Sequence, residues 1–334
     1  MMRRLALTLL LALLLPARAF AFTFIVTEPS TPLVPTSVIE LAQQLGYFAR
    51  EGVDVKLERV SGTPMAIAAL SAGQGDMAEI SVESLLKLTA RGDRRFRAVS
   101  SPAKSLSYVI AARDTIGSLA ELNGKLFGIG QTGTLDDTLS RTVLQHSGTD
   151  PAALEMVSVG HPQLRLKALR AGKIDATTIS YASWMTLPDK TGLHLLMSKD
   201  DYFRAAPVVA KVNVVGTDVL REKREEVVKI AAALLKLARD FARDPQRWAA
   251  AMADARPDVS KTELQGLARA YAADWCVDGC FEQAELQATA QLFYASPSFA
   301  KIRKPEIDEW TDFSVLREVL NTIGPARAAE HADR

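Results

Sequence analysis

Ala69-Leu70-Ser71-Ala72-Gly73-Gln74-Gly75-Asp76, written above Ala168-Leu169-Arg170-Ala171-Gly172-Lys173-Ile174-Asp175, shows one octapeptide plan used twice, about a hundred residues apart. Each copy runs into a short apolar stretch and ends in Ile-Ser, at Ile80-Ser81 and at Ile179-Ser180. The pattern predicts a helix ended by glycine, a turn, a strand, and a serine at the strand's carboxyl end. One copy alone carries no weight. Two predict two lobes built on the same α/β plan, each offering the same kind of loop to a shared cleft.

Working outward, strand-like runs alternate with helical ones through the first two thirds of the chain. Residues 22–27 read as a strand, 37–45 as a helix stopped by Gly46, and 53–59 as a second strand. Thr63-Pro64 then opens a helix to Ala72, with proline at the first helical position, where its missing N–H costs little. The runs 106–112 and 208–215 read as the strands that cross between lobes and act as a hinge, because a complete second set of α/β units lies between them. That set has a capping box at Ser118 and Glu121, a strand at 126–129, a helix at 135–147, a strand at 156–159 and a helix at 162–171. After Val215 the pattern turns helical, with 224–243, a second capping box at Ser260 and Glu263, and an amphipathic stretch at 281–294, all expected to pack on the first lobe. The expected division is therefore a leader at 1–21, one discontinuous lobe of 22–107 and 209–334, and a second lobe of 108–208. The charged tail after Pro325 is expected to fray.

The leader follows from the N-terminus, where Arg3 and Arg4 precede an apolar run from Leu5 to Leu15, then Pro16 and Ala17-Arg18-Ala19. That is a signal-peptide pattern, with cleavage after Ala19 or Ala21 and no cysteine to take a lipid. A free periplasmic protein is expected. With 334 residues, 48% of them hydrophobic, the chain can bury a large core. A formal net charge of +1 and dispersed Lys and Arg argue against a nucleic-acid partner. Cys276 and Cys280, the two cysteines, lie four apart; in an oxidising compartment a small-loop disulfide is the expectation and two free thiols the alternative. No metal is expected, since His146, His161, His194 and His331 lack ligand spacing.

Three segments carry a resemblance to a known family. They are Leu45-Gly46-Tyr47-Phe48-Ala49-Arg50-Glu51-Gly52-Val53-Asp54-Val55, Ala72-Gly73-Gln74-Gly75-Asp76-Met77-Ala78, and Leu119-Ala120-Glu121-Leu122-Asn123-Gly124-Lys125-Leu126-Phe127-Gly128. Over nearly the whole mature length the sequence resembles the type 2 periplasmic solute-binding proteins that serve uptake of sulfonates, taurine, nitrate and thiamine-pyrimidine precursors. The resemblance implies a small-molecule solute, a membrane permease of an ABC importer with its ATPase as partner, a monomer, no cofactor and no catalysis. It implies closure of the lobes about the hinge when solute bridges them. These are framework segments, shared by receptors for dissimilar solutes. Tyr47 and Phe48 in particular read as packing beneath a turn.

Open α/β sheets bind solutes beyond the carboxyl ends of their strands, which nominates five loops. Glu28 and Ser30 follow the first strand, and Ser61, Gly62 and Thr63 the second. Ser81 and Glu83 follow the first echo, while Ser180, Tyr181 and Trp184 follow the other. Gln131, Thr132, Gly133 and Thr134 form a Gly/Thr turn ahead of Asp136, and Asn213 on the second crossing strand completes the set. Each has a plainer reading: the turn as a helix cap, Asp136 and Asp137 as complements of a helix dipole, Trp184 as a core anchor. The carboxylates Glu28, Glu79, Glu83, Asp136 and Asp137 outnumber nearby bases, which favours an amine or heterocyclic N–H over a sulfonate. The alternatives are a sulfonate- or nitrate-type anion receptor, a ligand sensor, and a thiamine-pyrimidine-synthase-like enzyme, which uses the same fold with a cysteine-rich motif that this sequence lacks.

Overall fold

Both octapeptides fold the same way, and their aspartates show why. In the computed structural model, which describes residues 21–326, Asp76 donates its N–H to the Thr23 carbonyl (2.8 Å) and accepts the Thr23 N–H on its carboxylate (2.8 Å). Asp175 does the same with Leu126, at 2.8 and 3.1 Å. Each aspartate thus clamps its turn to the first strand of its own lobe with a reciprocal pair of bonds. Gly73 and Gly172 supply the left-handed backbone that ends each helix, at φ 70° and 65°.

The strands are β1 (Phe22–Val26), β2 (Val55–Arg59), β3 (Met77–Ser81), β4 (Phe96–Ser100), β5 (Tyr108–Arg113), β6 (Leu126–Ile129), β7 (Glu155–Ser158), β8 (Ala176–Ser180), β9 (Leu193–Met197) and β10 (Lys211–Gly216). They form two five-stranded sheets, β2-β1-β3-β10-β4 and β7-β6-β8-β5-β9. In each sheet the first two pairings are parallel, and the fourth strand, β10 or β5, lies antiparallel to both its neighbours. The two sheets are topological copies, as the echo predicts.

The copies differ by one exchange that packing explains. Phe24 pairs with Met77 and Ile25 with Ala78, while Phe127 pairs with Ala176 and Gly128 with Thr177, so Ile25 and Gly128 hold equivalent places. A Cβ on Gly75 would meet the Ile25 side chain at 2.5 Å, and one on Gly128 would meet Ile174 at 2.5 Å. Lobe one puts isoleucine on the strand and glycine in the turn; lobe two does the reverse. The same volume is filled once in each lobe.

The crossings correct one expectation. The strands at 106–112 and 208–215 are not themselves the passages: β5 lies wholly in the second sheet and β10 wholly in the first. Passage between lobes takes place in the segments before them, 101–107 and 198–210. The second of these contains a helix, Lys199–Ala205, whose cap Ser198 accepts the Asp201 N–H. The expected capping box at Ser118 is also altered. Its hydroxyl donates to Glu121, which accepts the Gly117 N–H instead of Ser118's, and only a 3-10 turn follows. At Ser260 and Glu263 the reciprocal box is present.

The helices after β10 pack on the first sheet. Arg224–Arg243 places Val227, Ile230, Ala231, Leu234, Leu235, Ala238 and Phe241 inward at helical spacing. The next helix, Pro245–Ala255, is capped by Asp244 and fully buries Trp248, whose Nε1 donates to Ser37 Oγ at 3.0 Å. Near the end of the described residues, Ala98 of β4 exchanges two backbone bonds with Trp310 and Asp312, at 2.8 Å each, stitching the C-terminal segment to the sheet edge. The leader lies outside the described residues apart from Ala21, and so does the tail beyond Ala326. Among the described residues no helix is long and apolar enough to cross a membrane.

Candidate functional site

The carboxyl ends of β1, β2 and β3 and those of β6, β7 and β8 deliver the nominated loops, and the side chains there divide into spent and free. The echoed serines are spent. Ser81 Oγ accepts the Ser84 N–H (3.3 Å) and Ser180 Oγ the Ser183 N–H (3.1 Å), with Oγ–Oγ bonds of 2.8 Å in both lobes. They are N-caps of the helices that follow, which is why the echo keeps them.

Glu83 is likewise withdrawn. It is 2% exposed, and its Oε1 accepts from Lys87 Nζ (2.7 Å), Thr138 Oγ1 of the second lobe (3.1 Å) and Ser298 Oγ (3.2 Å). This carboxylate joins the lobes. Beside it, Thr132, Gly133 and Thr138 face Gln291 and Ser296 across an interlobe cavity of about 750 Å³. Trp184 packs in the apolar core of the second lobe with Leu166, Leu169 and Ile179, under Lys190. Asn213 is fully buried in β10, opposite Glu79, and its Nδ2 donates to Ser100 Oγ at 3.0 Å. Tyr181 is half-buried, edge-on to Tyr271 at 6.5 Å.

The Gly/Thr turn is organised by its own aspartates. Asp136 accepts the Gly130 N–H (2.6 Å), the Thr134 hydroxyl (2.6 Å) and Arg165 Nη1 (3.1 Å). Asp137 accepts the Gly133 N–H (2.8 Å) and Arg141 Nε (2.7 Å). Both therefore serve the loop, while Gln131, Thr132 and Gly133 remain exposed. In the first lobe Gly62, at φ 77°, donates its N–H to the Thr27 carbonyl, and Thr63 Oγ1 accepts the Ser81 N–H at 3.2 Å. Ser30 and Ser61 are exposed without a side-chain hydrogen bond among the described residues.

Glu28 is different. The cations nearest the strand ends are each matched: Lys211 with Glu79 (3.1 Å), Arg165 with Asp136 (3.1 Å), Arg59 with Glu40 (3.4 Å). Among the described residues no ion pair involves the Glu28 carboxylate. Water reaches this side chain, yet surrounding atoms enclose it enough that burial raises its pKa above the ordinary 4.5; neighbouring Glu79 adds to the rise, and Lys211 and His161 oppose it. An accessible but hemmed-in carboxylate is what a cleft wall produces. His161 follows β7 of the second lobe, so its influence on Glu28 acts across the cleft. Tyr108, at the start of β5, is raised well above its ordinary value, chiefly by burial and next by the charge of Asp136, with Glu28 a smaller contributor. The charges of Lys211 and His161, one from each lobe, thus both act on Glu28. Sequence reasoning found only Glu28. The other two are scattered along the chain, and a lysine opening the second crossing strand was the one available local signal.

This arrangement can hold a positively charged or N–H-donating group at Glu28. A buried anion would find Lys211 and Arg165 already paired with carboxylates.

A family model described as NMT1/THI5 like matches residues 36–248. Proteins of Brucella abortus (strain 2308) and Brucella suis biovar 1 (strain 1330), each named "Putative binding protein", are 27% identical over 207 residues, 62% of this chain and 63% of theirs, so the match spans under two thirds of those relatives' length. The fold is that of the ligand-binding component of an ABC-type import system from Staphylococcus aureus (TM-score 0.72, 16% identity, 90% of this chain and 98% of that one). It is shared with the periplasmic aliphatic sulphonate binding protein SsuA of Escherichia coli (0.65, 14%, 87% and 92%) and with the desulfurization enzyme DSZB (0.67, 15%, 90% and 99%). The protein is a two-lobed α/β chain of the periplasmic-binding type, and it belongs to the NMT1/THI5-like family.

Proposed function

We propose that this protein is a periplasmic solute-binding receptor of an ABC-type importer, and that its solute carries an amine or a heterocyclic N–H, as a thiamine-pyrimidine precursor does. The observation that carries the ligand class is Glu28, the one nominated carboxylate that is exposed and, among the described residues, left without a basic partner. A sulfonate, the ligand class named for the Escherichia coli protein, would have to approach Glu28 while Lys211 and Arg165 stay bound to their own carboxylates. The receptor role is supported by the duplicated lobes with strand ends facing one cleft, and by the import-system and binding-protein names of the proteins it resembles. An enzyme also shares this fold, but both cysteines here are joined in a disulfide, so no free thiol is offered to a substrate.

Solute released by denaturing protein purified from the periplasm, analysed by mass spectrometry, tests the reading. The expected molecule is a small cation or a nitrogen heterocycle. Release of a sulfonate or nitrate would overturn the ligand class.

A further inference from the structure

The segment between the helices Lys261–Ala270 and Gln283–Tyr294 belongs to the first lobe but touches both interlobe passages. Asp274, 15% exposed in its side chain, accepts the Ser107 hydroxyl at 3.3 Å and meets Lys199 Nζ at 3.4 Å. Ser107 ends the first passage, and Lys199 opens the helix of the second. Five residues on, the Gly279 carbonyl accepts the N–H of Ser101, where the first passage begins. Tyr271 is fully buried, edge-on to Tyr181 of the second lobe, and Tyr181 in turn donates its N–H to the Ser107 carbonyl at 2.8 Å.

Two further observations fall on these residues. Cys276 and Cys280 are joined by a disulfide, which closes a ring containing Gly279 immediately after Asp274 and Trp275. Among the described residues, only two non-glycine residues have positive φ, Ser107 at 49° and Cys280 at 43°. Side-chain-bearing residues hold that conformation when surrounding contacts over-determine it. One of the pair lies in the first passage and the other in the ring that braces it.

We propose that the disulfide-closed segment 271–281 is a clasp on the hinge: it fixes the backbone of both passages and so sets how freely the lobes move, and opening its disulfide releases them. Relative motion of the lobes requires torsional change in 101–107 and 198–210, since both sheets are internally complete. Gly279 within the ring holds Ser101, and Asp274, two residues before the ring, holds Ser107 and Lys199. Reduction by a dithiol breaks the single S–S bond, converts Cys276 and Cys280 to thiols, and leaves the dithiol as its own disulfide. The ring opens with no other covalent change. The inference does not depend on which solute the cleft takes.

Hydrogen exchange read by mass spectrometry on the mature protein tests it, comparing the oxidised form, the same protein in dithiothreitol, and Asp274→Asn. Peptides covering 101–108 and 198–210 are expected to exchange roughly tenfold faster after either treatment, with those covering β1 and β6 unchanged. Lys199→Ala leaves the ring intact and is expected to speed 198–210 alone, which keeps the test usable if reduction unfolds the segment. Acceleration confined to 271–281, with both passages unchanged, would overturn the proposal.

Discussion

Glu28→Gln is expected to weaken capture of a cationic solute roughly hundredfold, because it removes a solvent-accessible carboxylate that has no ion-pair partner among the described residues. Glutamine keeps the shape and one acceptor oxygen, so the loss reports charge and not packing. The enclosed setting makes the charge matter: screening by water is weaker at a hemmed-in carboxylate than at an exposed one. Burial also raises the Glu28 pKa, and a cation binds the ionised form, so affinity should fall as pH drops through that raised value. Unliganded Glu28→Gln should be at least as stable as the native protein above the raised pKa, since no ion pair is lost and the cost of enclosing an ionised carboxylate is removed. Calorimetric titration of both proteins reads each effect. Equal affinities would remove Glu28 from the site.

Glu40→Gln is expected to stabilise the protein at pH 8 by about 3 kcal/mol and to flatten its pH dependence below neutrality. Glu40 lies on the helix Val38–Gln44, 6% exposed, and burial first, then the Glu79 charge, push its pKa from 4.5 up to about 7; Arg59 at 3.4 Å offsets only part. The folded state therefore holds a proton that the unfolded state releases near 4.5. Between those values stability falls as pH rises: the contribution is complete below about 4.5 and gone above about 7. Glutamine imitates the protonated form at every pH. Denaturant unfolding from pH 4.5 to 8 measures the difference, and a Glu40→Gln protein less stable than native at pH 8 would mean that the Arg59 pair outweighs burial.

The fold was legible because its two halves share a local device. A glycine-ended helix followed by an aspartate-clamped turn is encoded within eight residues, so repetition revealed two lobes even where residues such as Gly75 and Ile174 had exchanged roles. The serines were legible as loop markers, but their hydroxyls serve caps, a use that a serine opening a helix shares with one awaiting a ligand. Trp184 turned into the core of its own lobe and Glu83 was consumed by a contact between lobes, because a side chain's orientation depends on tertiary packing that no local pattern announces. Lys211 and His161 influence Glu28 from two distant segments, and no local pattern announces that influence. The strand β9 was hidden by His194 within Leu193–Met197, whose middle residues are only half-buried.

Thermal unfolding of the mature protein against amines, pyrimidines, aromatic acids, sulfonates and nitrate tests the central claim most directly. A solute at a hundred times its dissociation constant stabilises the folded state by about 2.7 kcal/mol, well within detection. Stabilisation by an amine or nitrogen heterocycle, lost in Glu28→Gln, is the predicted result; stabilisation by sulfonates or nitrate alone would contradict it.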